Sequence, residues 1–371
     1  MIKVLQISVG AHFGGIEKLE LEYAKHLNSN NFKVDILVLN ENTYEKYEEN
    51  AEQKYRIHNL NMKSFSRKNQ WSYDYRLYKF LKNNKYDIVH INSAVFLYSF
   101  RVVLISRLCG IKKIVVHSHN SLYLNPLKRA IKTILNPVYR SLVSDYLACS
   151  KLAEKSLFTE GFIKKNKIKI LKNGVEIEQF KFNELYRKKY RTELGLEGKI
   201  VYAHIGRFLP QKNHDKLIDI FFSIQKQQEN SVLLLIGDGE LKSQIEDKVK
   251  ELEIQEKVIF LGFREDVNKI LNAIDYFILP SKYEGLPVVL VEAQTNGIPV
   301  FCSDTISKEA KISDNFYTIN LDEDCDTIAH KICNCKYVET DRKNAYKNVI
   351  ENGYDIEDVC KQLKEIYFKM K

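Results

Sequence analysis

The stretch Pro280-Ser281-Lys282-Tyr283-Glu284-Gly285-Leu286-Pro287-Val288-Val289-Leu290-Val291-Glu292-Ala293 reads as a strand end, a turn at Glu284-Gly285 and a helix opening at Pro287. Proline suits a first helical position, where its missing N–H costs nothing. Glycine just before it lets the backbone approach a ligand closely. A helix N-terminus offers unpaired N–H groups and a partial positive charge, which together favour phosphate. Glu284 lies in the turn and Glu292 more than one turn into the helix, placed to accept hydrogen bonds from hydroxyls on either side of a bound phosphate. Such a geometry suits a nucleotide sugar.

Working backwards, strand–loop–helix units repeat. In the second half they run through strands Ile200–Ile205, Val232–Ile236, Val258–Phe260 and Tyr276–Leu279, with helices His214–Gln227, Glu240–Leu252 and Asp266–Ala273 between them. In the first half, strands are expected at Ile2–Val9, Lys33–Leu39, Asp87–Ile91, Lys113–His117 and Tyr146–Cys149. Helices are expected at Ile16–Leu27, Tyr73–Lys82, Phe96–Cys109 and Leu122–Val143. This alternation predicts parallel sheets covered on both faces. The charged, strand-free segment from Glu178 to Leu196 reads as a connector between two Rossmann-like halves, and Ile356–Met370 as a final amphipathic helix.

The chain has 371 residues, 44% of them hydrophobic, enough for two cores and unlike a disordered or fibrous protein. No apolar run reaches the roughly 18–20 residues of a membrane span. Seven cysteines without regular spacing predict reduced thiols in a cytoplasmic protein, and the Cys333/Cys335 pair has the wrong spacing for a zinc knuckle. The net charge of +9 is uneven. Arg101, Arg107, Lys112, Lys113, Lys128, Arg129, Lys132 and Arg140 fall between Arg101 and Ser144 with no acidic residue among them. That block reads either as a solvated basic face or as one turned to an anionic partner. Within it, Leu124, Leu127, Ile131, Ile134, Leu135, Val138 and Leu142 recur at helical spacing, interrupted by Pro126 and Pro137. Packing of that apolar stripe on the sheet is the favoured expectation, and interfacial membrane binding the alternative.

Three loops at strand ends carry further phosphate chemistry, since ligands of open α/β sheets sit there. Gly206-Arg207-Phe208-Leu209-Pro210-Gln211-Lys212-Asn213 combines a guanidinium fork with an ammonium. Gly237-Asp238-Gly239-Glu240 permits close backbone approach, and Gly262-Phe263-Arg264-Glu265-Asp266 can run along a nucleobase. The first strand leads into Gly10-Ala11-His12-Phe13-Gly14-Gly15, which lacks the G-x-G-x-x-G dinucleotide fingerprint. His117-Ser118-His119-Asn120 puts two imidazoles on one side of an extended chain, with no neighbouring Cys, Asp or Glu to complete a metal set. Asp322-Glu323-Asp324 reads as an acidic helix start rather than a metal motif.

Gly14-Gly15, His119, Asn173-Gly174-Val175, Gly206-Arg207, Gln211-Lys212-Asn213, Gly237-Asp238-Gly239, and Glu284 with seven residues before Glu292 occur in that order. Together they resemble the retaining glycosyltransferases of family 4, over nearly the whole chain. Val291–Gln294, Gly297, Pro299 and Ser303–Ile306 resemble the phrase seen in bacterial capsular and exopolysaccharide transferases. The resemblance implies an α/β GT-B fold of two Rossmann-like domains facing across a cleft. Residues 1–177 would form the acceptor domain and 178–355 the donor domain, with 356–371 crossing back to the first. It implies that Arg207 and Lys212 hold the diphosphate, Glu284 the hexose hydroxyls and Glu292 the ribose. The backbone between Gly285 and Val288 would supply N–H groups from Gly285, Leu286 and Val288, with Pro287, Gly206, Gly237 and Phe263 lining the donor site. Gly15 would lie near the diphosphate and acceptor, and His119 near the reacting carbon, with His117 the competing imidazole. The implied reaction moves a hexose or N-acetylhexosamine, with retention, from a nucleotide sugar (UDP by analogy) to a saccharide or lipid-linked saccharide, without metal or cofactor. Cytoplasmic action is expected, with a peripheral station on the inner membrane face through the basic block, and no nucleic acid. A GT-B nucleotide-sugar epimerase without acceptor and a basic membrane-binding module are the alternatives; a nicotinamide oxidoreductase is disfavoured by the missing fingerprint.

Overall fold

A computed structural model describes residues 1–8, 14–38, 55–60, 62, 70–93, 95–120, 126–165, 168–335 and 342–369. The chain divides into two compact units, Met1–Gly174 with Asp355–Lys371, and Val175–Tyr354. The expected Gly10–Phe13 loop, Val9, Leu39, Leu122–Leu124 and Met370 lie outside the described residues.

The first unit is built on seven parallel strands: β1 (Ile2–Ser8), β2 (Phe32–Val38), β3 (Ile57–Asn59), β4 (Ile88–Ser93), β5 (Lys113–Ser118), β6 (Asp145–Ala148) and β7 (Lys169–Ile170). Their order is β3-β2-β1-β4-β5-β6-β7. Strands β4 and β5 are buried along their whole length, as a sheet covered on both faces requires. The Ile356–Phe368 helix belongs to this unit, packing Ile356, Val359, Cys360, Leu363 and Tyr367 with Val4, Tyr23, Phe32 and Val115. Contact there is close enough that a Cβ on Gly174 would stand 2.9 Å from the Ile356 Cα. Lys113 caps the helix end, donating to the carbonyls of Ile366 and Lys369.

The second unit has β8 (Ile200–Ile205), β9 (Ser231–Ile236), β10 (Val258–Gly262), β11 (Tyr276–Leu279), β12 (Val300–Ser303) and β13 (Phe316–Ile319). They pair in parallel in the order β10-β9-β8-β11-β12-β13. Both sheets therefore run outward in two directions from a central pair, the doubly wound pattern. The stretch read as a connector holds the Glu184–Glu193 helix, capped by Asn183. Asp324 caps the Cys325–Cys333 helix by accepting from Thr327 N at 2.8 Å.

The Pro126–Leu142 helix corrects two expectations. Its prolines do not interrupt it: Pro126 is its first residue and Pro137 lies inside it. Its apolar stripe packs inward only in part: Leu135 and Leu142 rest against the first unit's core, while its other side turns outward. Leu127, Ile134 and Val138 are 69%, 73% and 48% exposed, while Lys132, Asn136 and Tyr139 are buried. The inversion has a polar cause. Lys132 Nζ donates to the carbonyls of Lys155 (2.6 Å) and Ser156 (3.1 Å) at the end of the Lys151–Leu157 helix, and the Tyr139 hydroxyl bonds Ser99 Oγ at 2.6 Å. Half of the basic block is likewise internal. Arg101 pairs with Asp74, Arg107 donates to the Leu142 and Ile111 carbonyls, and Lys113 meets Asp145 at 3.2 Å. Among the described residues no helix is long and apolar enough to cross a membrane.

Candidate active site

Strands β8 and β11 are neighbours at the point where the second sheet reverses direction, and loops leaving such a point form the binding crevice of a doubly wound sheet. The loop after β8 carries Lys212 and the loop after β11 carries Glu284. Lys212 Nζ donates to Glu284 Oε1 at 2.7 Å, both side chains largely withdrawn from solvent. Three further bonds tie these loops together. Lys282 N donates to the Gln211 carbonyl (2.8 Å), Gln211 Nε2 to the Tyr283 carbonyl (2.9 Å) and Asn213 Nδ2 to the Pro280 carbonyl (3.1 Å). Asn213 accepts a left-handed conformation, φ 59°, to turn the chain into the His214–Gln225 helix. Arg207 is exposed and has no ion-pair partner among the described residues. It is therefore available to an incoming anion.

The loops after β9 and β10 join from the other side. Gly206 N donates to the Ile236 carbonyl, Phe208 N to the Asp238 carbonyl and Gly237 N to the Gly262 carbonyl, all at 2.8–3.0 Å. Gly237 sits at φ 138°, and a Cβ there would stand 2.1 Å from the Gly206 carbonyl oxygen. Beneath Lys212 lie two buried imidazoles. His204 donates Nδ1–H to, and so is held by, the Ile278 carbonyl at 2.9 Å, and His214 stacks on Phe208 at 4.0 Å. Burial, with the Lys212 ammonium adding to it, pushes His214 down to about 4. Burial takes His204 well below its usual range too. Both are neutral near pH 7, so the positive charge of the crevice belongs to Lys212 and Arg207.

The Val288–Thr295 helix begins one residue later than expected, with Pro287 as its N-cap at ψ 120°. Gly285, Leu286 and Pro287 are buried, Val288 half-buried, and Glu292 buried within the helix. Phe263, just after β10, is 50% exposed. The second unit thus joins Gly206, Gly237, Lys212 and Glu284 directly.

In the first unit, Gly15 is exposed at the start of the Gly15–Leu27 helix. His119 follows β5, its ring 3.9 Å from that of His117. His119 Nε2 lies 2.9 Å from Asn92 Oδ1 and Nδ1 3.2 Å from Asn173 Oδ1. His117 is wholly buried, and neither of its nitrogens has a partner. His90 stacks beyond it at 5.5 Å and bonds the Tyr367 hydroxyl through Nδ1 at 2.6 Å. Burial holds His90 at about 3, His119 at about 4 and His117 well below its ordinary value. Asn92, Glu20 and Gln6 were not singled out from the sequence. A glutamate on the apolar face of the first helix, beside Leu19, Tyr23 and Ala24, is the signal that marks Glu20.

These imidazoles give a pH prediction. The unfolded chain binds protons below about pH 6.5; in the folded chain His119 refuses its proton until about pH 4, and burial takes His117 well below its ordinary value. Stability therefore falls as pH drops through that window, by about 1.4 kcal/mol per pH unit for each such imidazole. His117→Phe removes one of them together with two unpartnered nitrogens. Urea midpoints at pH 7 and pH 5 are expected to diverge less in this variant than in the wild type; equal divergence would contradict the assignment.

Residues 13–179 match the family described as Glycosyltransferase Family 4, and residues 186–356 match Glycosyl transferases group 1. The UDP-Gal:alpha-D-GlcNAc-diphosphoundecaprenol alpha-1,3-galactosyltransferase of Escherichia coli is 25% identical over 100% of this chain and 97% of its own. The capsular polysaccharide biosynthesis glycosyltransferase CapH of Staphylococcus aureus is 24% identical over 99% of both. The crystal structure of Anabaena Alr3699/HepE in complex with UDP and glucose superposes with a TM-score of 0.79 over 99% of this chain and 100% of that one, at 19% identity. Matched by a family 4 half and a group 1 half, the chain belongs to the family 4 glycosyltransferases and has the GT-B fold.

Proposed function

We propose that this glycosyltransferase moves a hexose or N-acetylhexosamine from a UDP-sugar to a saccharide or lipid-linked saccharide in capsule or exopolysaccharide synthesis, with retention of anomeric configuration. The observation that carries the reading is the Lys212–Glu284 pair at the β8/β11 switch point. Each partner fixes the other, so an ammonium for the diphosphate and a carboxyl for the sugar hydroxyls stand side by side. As the anomeric bond breaks, negative charge grows on the leaving phosphate. Arg207, Lys212 and the helix N-terminus after Pro287 stabilise it, and such preorganised donors are usually the largest catalytic contribution. Gly285, Leu286 and Val288 supply backbone N–H groups, Phe263 stacks on the base and Glu292 holds the ribose. The family resemblance assigns His119 to the donor sugar and Gly15 to the diphosphate.

The relatives support the pathway through their own names: one uses UDP-Gal and a diphosphoundecaprenol-linked acceptor, another acts in capsular polysaccharide biosynthesis. A thermal-shift screen of nucleotide sugars tests the donor class, since a ligand that binds only the folded state raises its stability. A UDP-sugar is expected to shift the midpoint, and a flat panel would sink the reading. With two cations already at the diphosphate, turnover is expected to survive EDTA; a large loss restored by Mg²⁺ would overturn metal independence.

The Pro126–Leu142 helix supports a peripheral place on the anionic inner face of the membrane. Leu127, Ile134 and Val138 form its outer stripe, flanked by exposed Lys128, Arg129 and Arg140. Burying one such side chain is worth about 1.5 kcal/mol or more. The double variant Leu127→Glu/Ile134→Glu is therefore expected to weaken binding to anionic vesicles by roughly 100-fold, with Tm unchanged. Undiminished flotation of that variant would rule the surface out.

A further inference from the structure

The backbone that leads into Glu284 is held from two sides. From one side it is held by the loop after β8, through the bonds of Gln211 and Asn213 to Pro280, Lys282 and Tyr283. The Ser281 carbonyl is held from the other side, by the chain leaving β12. The β11–β12 ladder ends at the Leu279/Cys302 pair, and two hydroxyls take over beyond it. Ser303 Oγ donates to the Ser281 carbonyl, and Thr305 Oγ1 donates to the same oxygen at 3.1 Å. Each hydroxyl has one hydrogen and a carbonyl oxygen has two lone pairs, so the two bonds are compatible. Ile306 N donates to the Ser303 carbonyl at 3.1 Å and closes a turn that brings Thr305 Oγ1 within 2.9 Å of Ser303 Oγ. Asp304 N donates to the Ile319 carbonyl at 3.0 Å, which ties this turn to the end of β13. Ser281 and Ser303 are wholly buried, so loss of the Ser303 hydroxyl leaves a buried acceptor short of a donor.

We propose that Ser303 and Thr305 are positioning residues for the donor sugar: they fix the Ser281 carbonyl, and through it the Glu284 carboxyl three residues further on. The proposal rests on the reading of Glu284 as the carboxyl for the sugar hydroxyls. It deepens that reading by giving the carboxyl a second support. Lys212 holds Glu284 by its side chain, whereas the two hydroxyls hold it by its backbone. The two supports differ in what else they touch. Gln211 and Asn213 flank Lys212, so a change in either disturbs the phosphate side as well. Ser303 and Thr305 stand on a turn that carries none of the residues assigned to the diphosphate, the base or the ribose. They therefore act on the sugar side alone, and set how well the site tells a UDP-sugar from free UDP.

The test is calorimetric titration of the full chain with free UDP and with UDP-glucose, UDP-galactose, UDP-N-acetylglucosamine and UDP-N-acetylgalactosamine. The readout is the ratio of the UDP Kd to the Kd of each UDP-sugar that binds. In Ser303→Ala and in Thr305→Val that ratio is expected to fall roughly three- to tenfold, with the UDP Kd within about twofold of wild type. Thr305→Ser keeps the hydroxyl and is expected to bring the ratio back to within about twofold of wild type. A merely structural role lowers the competent fraction, read as the stoichiometry, and leaves the ratio alone. An unchanged ratio in both variants therefore overturns the proposal whatever their Tm, and so does equal weakening of UDP and UDP-sugar. Thr305 is exposed, so Thr305→Val decides if Ser303→Ala does not fold. Glu284→Gln separates the two ways of failing. A ratio unchanged in Glu284→Gln overturns the underlying reading; a ratio lowered there but not in Ser303→Ala or Thr305→Val overturns the clamp alone.

Discussion

Lys212→Ala is expected to lower kcat by about 100-fold or more, with a smaller change in donor KM. Loss of one preorganised donor to a developing oxyanion costs roughly 3–4 kcal/mol of transition-state stabilisation. Lys212 is such a donor: it is withdrawn from solvent, fixed 2.7 Å from Glu284, and carried on a loop bonded to its neighbour at three further points. The imidazoles below it are neutral and cannot replace its charge. Removing the ammonium also deprives Glu284 of its cation, so some loss of stability accompanies the kinetic one. Tm and single-turnover rates measured together separate the two. Lys212→Arg keeps the charge but offers a planar fork in place of a compact ammonium, and is expected to recover only part of the rate. Turnover of Lys212→Ala within a few fold of wild type would contradict the assignment.

The second large effect is expected from Gly237→Ala. The residue stands at φ 138°, a backbone conformation open chiefly to glycine, and the added methyl would meet the Gly206 carbonyl oxygen at 2.1 Å. Both obstacles are backbone, so no rotamer change relieves them. Strain of this kind costs on the order of 1–3 kcal/mol, and forced overpacking about as much again. The loops after β8, β9 and β10 meet at this point through the Gly206, Phe208 and Gly237 amides. The damage is therefore expected both in stability and in the placement of Arg207 and Lys212. A Tm lowered by several degrees, together with loss of nucleotide-sugar binding, is the expected result. A variant as stable as the wild type would show that these loops do not meet as closely as described. Gly195, at φ 63° with open space around it, makes the control: Ala there pays for backbone strain alone and should leave binding intact.

Much of this was legible from local pattern. Strands β8, β9, β10 and β11 are apolar runs ending in glycine or proline loops, and periodicity with breakers finds them within a residue or two. The three- and four-residue strands β3, β12 and β13 went unread. Val300–Ser303 pairs with β11 and Phe316–Ile319 pairs with Val300–Ser303, and neither is closed by the glycine or proline loop that marks the ends of β8 to β11. Strand order is equally absent from local pattern. Sequence reading gave Lys212 and Glu284 separate tasks on separate loops, and their contact follows only from β8 lying beside β11. The Pro126–Leu142 helix shows the same limit differently. Its periodicity reveals two faces but not which one turns inward. The carbonyls of Lys155 and Ser156, supplied by a helix further along the chain, bury Lys132 and turn Leu127, Ile134 and Val138 outward. Asn92 was silent because a single polar residue in an apolar strand gains meaning only from what it faces.

The central claim is that a nucleotide sugar binds the second unit at the β8/β11 switch point, held by Lys212, Glu284 and Arg207. Calorimetric titration of a nucleotide-sugar panel into wild type, Arg207→Ala and Glu284→Gln tests it most directly. One saturable site for a UDP-sugar is predicted, with affinity reduced roughly tenfold or more in each variant as a charged contact is lost. Free UDP should discriminate between them, weakened by Arg207→Ala but little affected by Glu284→Gln. UDP-sugar binding of wild-type strength in both variants would contradict the site.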